Sequence, residues 1–360
     1  MMVNRIYARV HVFFGSAHSS MVALTRLRTP VKRALSIAIQ YNHFAEFSPS
    51  MVLSSVGHDT RRVCEMLIKT FHWNRKDITI LRDNGKFTPP TRDNMIRAMK
   101  ALVDGAMPGD HFVFHFSGHG SQVPNDDGLD YEEDGKDEIL WASDVVISDF
   151  DDPENSVVKN YIKDDELKQI LIDPLPAEAH LTLIFDACHS GTAADLSYYR
   201  EHLLSTTPIV SPLTPRLSAT RPFSRGGAVM AMHRESSDSD HTDPEIYSPM
   251  GLTLRIDTSA LDVEGSVSIY PTVTSWSACH DSEWTYEEKG GIFIKAFTRA
   301  LTAKPNQSYA SLLRLLTMEL KKSTDAVNEK RPPYERYSPP RPQLGSLTAV
   351  EDLLQSTILF

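Results

Sequence analysis

The chain has 360 residues, 41% of them hydrophobic and 23% charged, the proportions of an ordinary globular protein long enough to bury a large core. A formal net charge of -10 and a pI near 5.8 argue against a nucleic-acid-binding surface and favour cationic partners or metal ions. Three cysteines encode no disulfide framework and fit a reducing intracellular compartment, and no run of 18 apolar residues offers to span a bilayer.

Residues 1–45 hold no acid, yet carry Arg5, Arg9, Arg26, Arg28, Lys32 and Arg33 among serines and apolar residues, a composition shared with organelle transit peptides. The stretch runs straight into a strand-like segment at Ala34 to Ile39, so residues 1–32 read as a basic extension of a cytoplasmic or nuclear protein. Further short apolar runs follow at Ile78 to Leu81, His111 to Phe116, Leu181 to Phe185 and Val273 to Trp276, the form of parallel central strands buried on both faces. Helical spacing separates them. Val63, Met66, Leu67 and Phe71 follow the first run; Met95, Met99 and Leu102 follow the second behind Thr91 as N-cap. A third helix is expected from Asp164 or Asp165 to Ile172, and two more at Ile292 to Leu301 and Tyr309 to Lys322. Alternation of this kind implies an α/β fold, a mostly parallel sheet with helices on both faces.

Residues 196–268 break the rhythm, being dense in Ser, Thr, Pro and Asp, and read as a mobile insert between a larger part at 33–195 and a smaller one at 269–360. A last edge strand is expected near Ser346 to Val350, after the extended Pro332-Pro333 and Pro339-Pro340 segment.

Two strand-like runs end in chemistry. Phe112 to Phe116 leads into Ser117-Gly118-His119-Gly120, and Leu181 to Phe185 leads into Asp186-Ala187-Cys188-His189-Ser190-Gly191. Ligand chemistry in open α/β sheets gathers beyond the carboxyl ends of the strands, which would let one imidazole take the proton of one thiol and leave a nucleophilic thiolate. A buried packing cysteine is the plainer alternative for Cys188.

These segments, with Ser275-Trp276-Ser277-Ala278-Cys279 and Pro342-Gln343-Leu344, resemble a type I metacaspase of the kind found in fungi, in order and with compatible spacing over roughly residues 33 to 350. The resemblance implies a caspase-like fold and a cysteine endopeptidase that cleaves after Arg or Lys, commonly calcium-activated and self-processed, and mostly monomeric. Cys188 would be the nucleophile and His119 its activating base, with the backbone N–H groups of Gly120 and Cys188 holding the oxyanion. Where the caspase signature has Gln two residues before the cysteine, this chain has Asp186, whose carboxylate suits a guanidinium or ammonium. By resemblance Asp59 would be a second pocket carboxylate, with Ser117, Ser275 and Trp276 as wall. Asp59 reads equally as the first-turn acid of a helix, and Asp186 also as a strand-end hydrogen-bond acceptor.

Eight acids crowd Asp126 to Glu138, at offsets that do not match an EF-hand loop. The resemblance places calcium instead at dispersed acids, Asp137, Asp164, Asp165 and Asp195, and implies no organic cofactor. Asp164 and Asp165 could equally cap a helix, and Asp195 could be a surface acid. A catalytically silent scaffold, a calcium-binding regulatory module and a cysteine hydrolase of other specificity are the competing classes. The expected partners are proteins or peptides with Arg or Lys at the cleavage site, with no nucleic acid and no membrane.

Overall fold

Short apolar runs become strands wherever both of their faces can be covered. In the computed structural model the central sheet has seven: β1 (Lys32–Ala38), β2 (Ile78–Arg82), β3 (His111–Ser117), β7 (His180–Asp186), β8 (Tyr198–Arg200), β9 (Thr272–Ser277) and β10 (Gln343–Ser346), in spatial order β2-β1-β3-β7-β9-β10-β8. The first five in that order are parallel, while β10 runs antiparallel to both β9 and β8. The structure describes residues 28–125, 135–152, 156–187, 194, 196–200, 270–278 and 291–360, and among these no helix is long and apolar enough to cross a membrane.

Among the described residues six α-helices accompany the sheet: α1 (Gly57–Lys69), α2 (Arg92–Val103), α3 (Asp164–Leu171), α4 (Ile292–Ala303), α5 (Tyr309–Asn328) and α6 (Val350–Leu354). Thr91 caps α2 as expected, its side chain accepting from the Asn94 N–H at 3.4 Å, and Ser308 caps α5 in the same way. Side chains alternate across the strands and build two cores. Phe112, Phe114 and Phe116 of β3 face Met95 and Met99 of α2 and Leu167 and Leu171 of α3. Val113 and Ile184 face the other way, with Val63 and Leu67 of α1, Phe293 and Phe297 of α4, and Leu312 and Leu316 of α5. The expected α/β architecture, a mostly parallel sheet covered by helices on both faces, is therefore what forms.

Several boundaries differ from expectation. Residues 28 to 32 belong to the fold rather than to an extension: Arg28 pairs with the buried Asp110 carboxylate, the Val31 N–H donates to the same group at 2.9 Å, and Lys32 opens β1. The terminal strand is Gln343–Ser346, interior rather than at the edge, because β8, taken from the start of the expected insert, pairs outside it. Val350 instead begins α6, and α5 continues six residues past Lys322. The rest of the insert, residues 201–268, lies outside the described residues.

A second sheet was not anticipated at all. β4 (Gly120–Pro124), β5 (Lys136–Ile147) and β6 (Val157–Lys163) form an antiparallel unit directly after His119. Charged residues at both of its ends mask the pattern: β5 opens Lys136-Asp137-Glu138, yet Asp137 is fully buried and Glu138 nearly so.

Candidate active site at the ends of β3 and β7

Parallel pairing sets Ser117 opposite Asp186, and the ladder continues one step further, the Gly118 N–H donating to the Asp186 carbonyl at 3.3 Å. His119 stands two residues beyond Ser117. Cys188 stands two residues beyond Asp186 in the sequence, and both Cys188 and Asp195 lie outside the described residues.

His119 is held from three sides. Its backbone N–H donates to the Tyr41 hydroxyl at 3.0 Å, and that hydroxyl donates in turn to the Trp141 carbonyl at 2.9 Å. The imidazole lies between the rings of Tyr41 and Trp141, with centroids 4.7 and 5.3 Å away. Nε2 is 2.8 Å from the Met51 carbonyl oxygen. A carbonyl can only accept, so Nε2 carries the hydrogen and Nδ1 keeps its lone pair. Burial holds the His119 pKa below the ordinary histidine value, the Met51 bond opposing the shift.

Tyr41 is placed by an unusual backbone. It is left-handed at φ 55°, a conformation that costs a non-glycine residue about 1 kcal/mol or more, and the Asp83 carboxylate secures it by accepting from the N–H groups of Gln40 and Tyr41 at 2.8 Å each. Gly118 is required beside it, since a Cβ there would lie 2.8 Å from the Tyr41 hydroxyl.

Gly120 opens β4 opposite Leu140. The neighbouring bond from the Trp141 N–H to the His119 carbonyl, 3.1 Å, marks Gly120–Leu140 as the non-hydrogen-bonded type of antiparallel pair. The Gly120 N–H accordingly points away from β5, as an oxyanion donor must.

Asp59 and Asp186 come together although 127 positions separate them. Asp59, in the first turn of α1 and fully buried, accepts from the Gly291 N–H at 2.9 Å and from Arg62 at 3.0 Å. Asp186 accepts from the Ile294 N–H at 3.1 Å, so both carboxylates lie at the start of α4. A Cβ on Gly291 would fall 1.9 Å from the Asp186 Oδ2, which makes glycine necessary there. Asp59 is thus the first-turn helix acid of one expectation, and its carboxylate meets the same helix end as that of Asp186. Ser117 is buried on the same face, its hydroxyl 3.0 Å from His115 Nε2, while His115 Nδ1 is 2.8 Å from the Ser36 hydroxyl. Full burial pushes the His115 pKa down to about 3.

The expected wall needs correction. Trp276 is fully buried and stacks on Tyr309 at 5.9 Å beside Phe297, so its ring belongs to the core beneath α4 and α5. Strand alternation turns the buried Ser275 to the opposite face of the sheet.

Of the expected calcium acids, Asp137 on β5 pairs with Lys163, and Asp164 opens α3. The Asp164 carboxylate accepts from the Asp165 N–H at 2.9 Å and the Glu138 N–H at 3.4 Å. Burial, followed by the charges of Asp165 and Asp137, pushes its pKa up to about 7. Among the described residues no three acidic, histidine or cysteine side chains stand together closely enough to hold a metal ion.

Tyr41, Met51, Asp83 and Trp141 were missed from the sequence. Their one local signal is position, Tyr41 and Asp83 each falling just beyond a strand end.

A mostly parallel α/β sheet with His119 just beyond β3 and Cys188 following β7 in the sequence defines the scaffold, and comparison with known proteins narrows its class. The model of the metacaspase, peptidase C14 domain matches residues 32–197. Metacaspase-1 of Cryptococcus neoformans var. neoformans serotype D (strain JEC21) is 34% identical over 308 residues, covering 82% of this chain and 61% of its own length. Metacaspase-1 of Pyricularia oryzae is 32% identical over 79% of this chain and 67% of its own length. The chain belongs to the metacaspase family. It spans roughly three-fifths to two-thirds of the length of these relatives. Caspase-1 of Spodoptera frugiperda aligns with 92% of this chain and 89% of its own, at a TM-score of 0.43 and 10% identity.

Proposed function

We propose that the chain is a cysteine endopeptidase cleaving after Arg or Lys, with Cys188 as nucleophile and His119 as general base and then acid. The observation that carries this reading is the 2.8 Å contact of His119 Nε2 with the Met51 carbonyl. The Nε2 hydrogen is committed to the Met51 carbonyl, so Nδ1 is available to accept a proton, at the end of the strand adjacent to the one that leads into Cys188.

Transfer of the Cys188 proton to Nδ1 would leave a thiolate to attack the scissile carbonyl carbon. The resulting oxyanion would be held by the N–H groups of Gly120 and Cys188, and the outward-pointing Gly120 N–H supports this. His119 would return the proton to the leaving amine and then activate water to release the acyl group from sulfur. Metacaspase membership and the pairing of Asp186 with Asp59 support a cationic residue at the cleaved bond, since two buried carboxylates beside the nucleophile suit a guanidinium. Self-cleavage would follow the same preference at arginines of the 201–269 segment, such as Arg221 or Arg225.

Calcium activation belongs to the same reading. Asp137 and Asp164 are buried acids, Asp137 paired with Lys163 and its charge helping to raise the Asp164 pKa, an arrangement that a hard divalent cation would favour with oxygen ligands. Asp165 and Asp195 would complete the set.

The test compares wild type with Cys188→Ala on Arg, Lys and Asp peptide reporters, each with calcium and with a chelator. Cleavage of Arg and Lys reporters only, abolished by the substitution and by chelation, is the expected result. Silence of the wild type under all conditions would favour a scaffold, and undiminished cleavage in chelator would remove the calcium part alone.

A further inference from the structure

Beside the start of α4 lies a cavity of about 670 Å³ whose character runs against the acidity of the chain. It is lined by Lys295 and Arg299 of α4, Lys322 of α5, and Lys330 and Arg331 just beyond α5. Glu319 and Glu335 are the acids on its wall, so the lining carries a net charge of about +3 in a chain of net charge -10. The size is that of a small-molecule site, and the floor is aliphatic, from Ile292, Ala296 and Val327.

We propose that this cavity is a binding site for a compact multivalent anion of the polyphosphate or phosphate-ester class. Two stretches of chain, α4 and the continuous run from Lys322 of α5 to Arg331, bring their cations around one concavity rather than setting them in a row. An extended acidic peptide would use a row; a compact anion uses a cup. Two guanidinium groups offer the forked donors that match phosphate oxygens, and the three lysines add point charge.

The position of the cup gives it a consequence. Ile294, whose N–H holds Asp186, directly precedes Lys295, and Gly291, whose N–H holds Asp59, stands one turn earlier. A ligand bridging Lys295 and Arg299 to Lys322 and Arg331 fixes the first turns of α4 against α5, and with them the helix end against which both carboxylates rest. This coupling rests on the peptidase reading; the binding site itself does not.

The test uses the full chain carrying Cys188→Ala, titrated with inorganic tripolyphosphate by calorimetry and thermal melting at constant ionic strength. Orthophosphate and hexaglutamate serve as the other ligands. Micromolar binding of tripolyphosphate and a rise of several degrees in the melting temperature are expected, with orthophosphate at least tenfold weaker. The variant Arg299→Ala/Lys322→Ala/Arg331→Ala, altered at side chains remote from the sheet, should melt at the unliganded temperature and lose at least tenfold in affinity. Binding no stronger than that of chloride at equal ionic strength, an unchanged affinity in the triple variant, or tighter binding of hexaglutamate would each overturn the assignment. Because the readout is binding to a chain without the thiol, a negative result here leaves the peptidase reading standing, and an inactive wild type leaves this site standing.

Discussion

Two neighbouring strand ends are built in opposite ways. Beyond β3, His119 lies between aromatic rings, and its hydrogen-bond partners among the described residues are the neutral Tyr41 hydroxyl, Met51 carbonyl and Trp141 N–H. Beyond β7, Asp186 shares the α4 terminus with Asp59, and Arg62 is close by. An apolar cage disfavours the charged imidazole, whereas the N–H groups at a helix N-terminus favour negatively charged side chains. On the proposed reading, proton transfer and cation recognition would be divided between two strand ends that share one ladder.

The comparison breaks most sharply at the base. His119→Ala should lower kcat/KM by roughly 10²- to 10⁴-fold, the usual worth of a positioned general base, on every reporter alike. Asp186→Asn should be selective instead. The amide oxygen can still accept from Ile294, so the fold should hold, while cleavage after Arg falls roughly 100-fold with the lost buried charge. Equal losses in kcat/KM for charged and uncharged reporters would deny Asp186 its part in specificity.

Smaller effects sharpen the cage side. Tyr41→Phe leaves the Trp141 carbonyl and the His119 N–H without the hydroxyl they share, and should cost about 1–3 kcal/mol in urea denaturation. His115 predicts a slope rather than a step. Its pKa is about 3 when folded and near 6.5 when unfolded, so the unfolded state binds the proton first. Its stabilisation is complete above pH 6.5 and declines by about 1.4 kcal/mol per pH unit as the pH falls from there toward 3. Denaturation of wild type and His115→Gln across that range should show the slope reduced by about one proton; equal slopes would refute it. His111, pushed down to about 4, adds in the same direction in both proteins. The finest effect is the acid limb of kcat/KM, whose midpoint should lie below 6.5 because burial keeps His119 neutral. A midpoint above 6.5 would mean that the cage does not desolvate the ring.

The parallel strands were legible because each is a short apolar run covered on both faces, as at Phe112 to Phe116 and Leu181 to Phe185. The sheet β4–β5–β6 was not, because its pattern begins in charge. Lys136, Asp137 and Glu138 look like the end of an acidic loop, and the burial of Asp137 and Glu138 depends on Lys163 and the Asp164 region, 26 residues away. Trp276 was misassigned for a related reason. The resemblance put Ser275 and Trp276 in one wall, but alternation along β9 sends the two side chains to opposite faces of the sheet.

Residue type at 119, 186 and 188, and the strand that precedes each, are local properties, so periodicity and spacing alone determined them. The meeting of Asp59 with Asp186 at Gly291, the left-handed Tyr41 clamped by Asp83, and the choice of nitrogen on His119 were decided only by tertiary structure. Each depends on a hydrogen bond between segments at least 40 residues apart, whose formation follows from strand order and helix packing that no window of sequence contains.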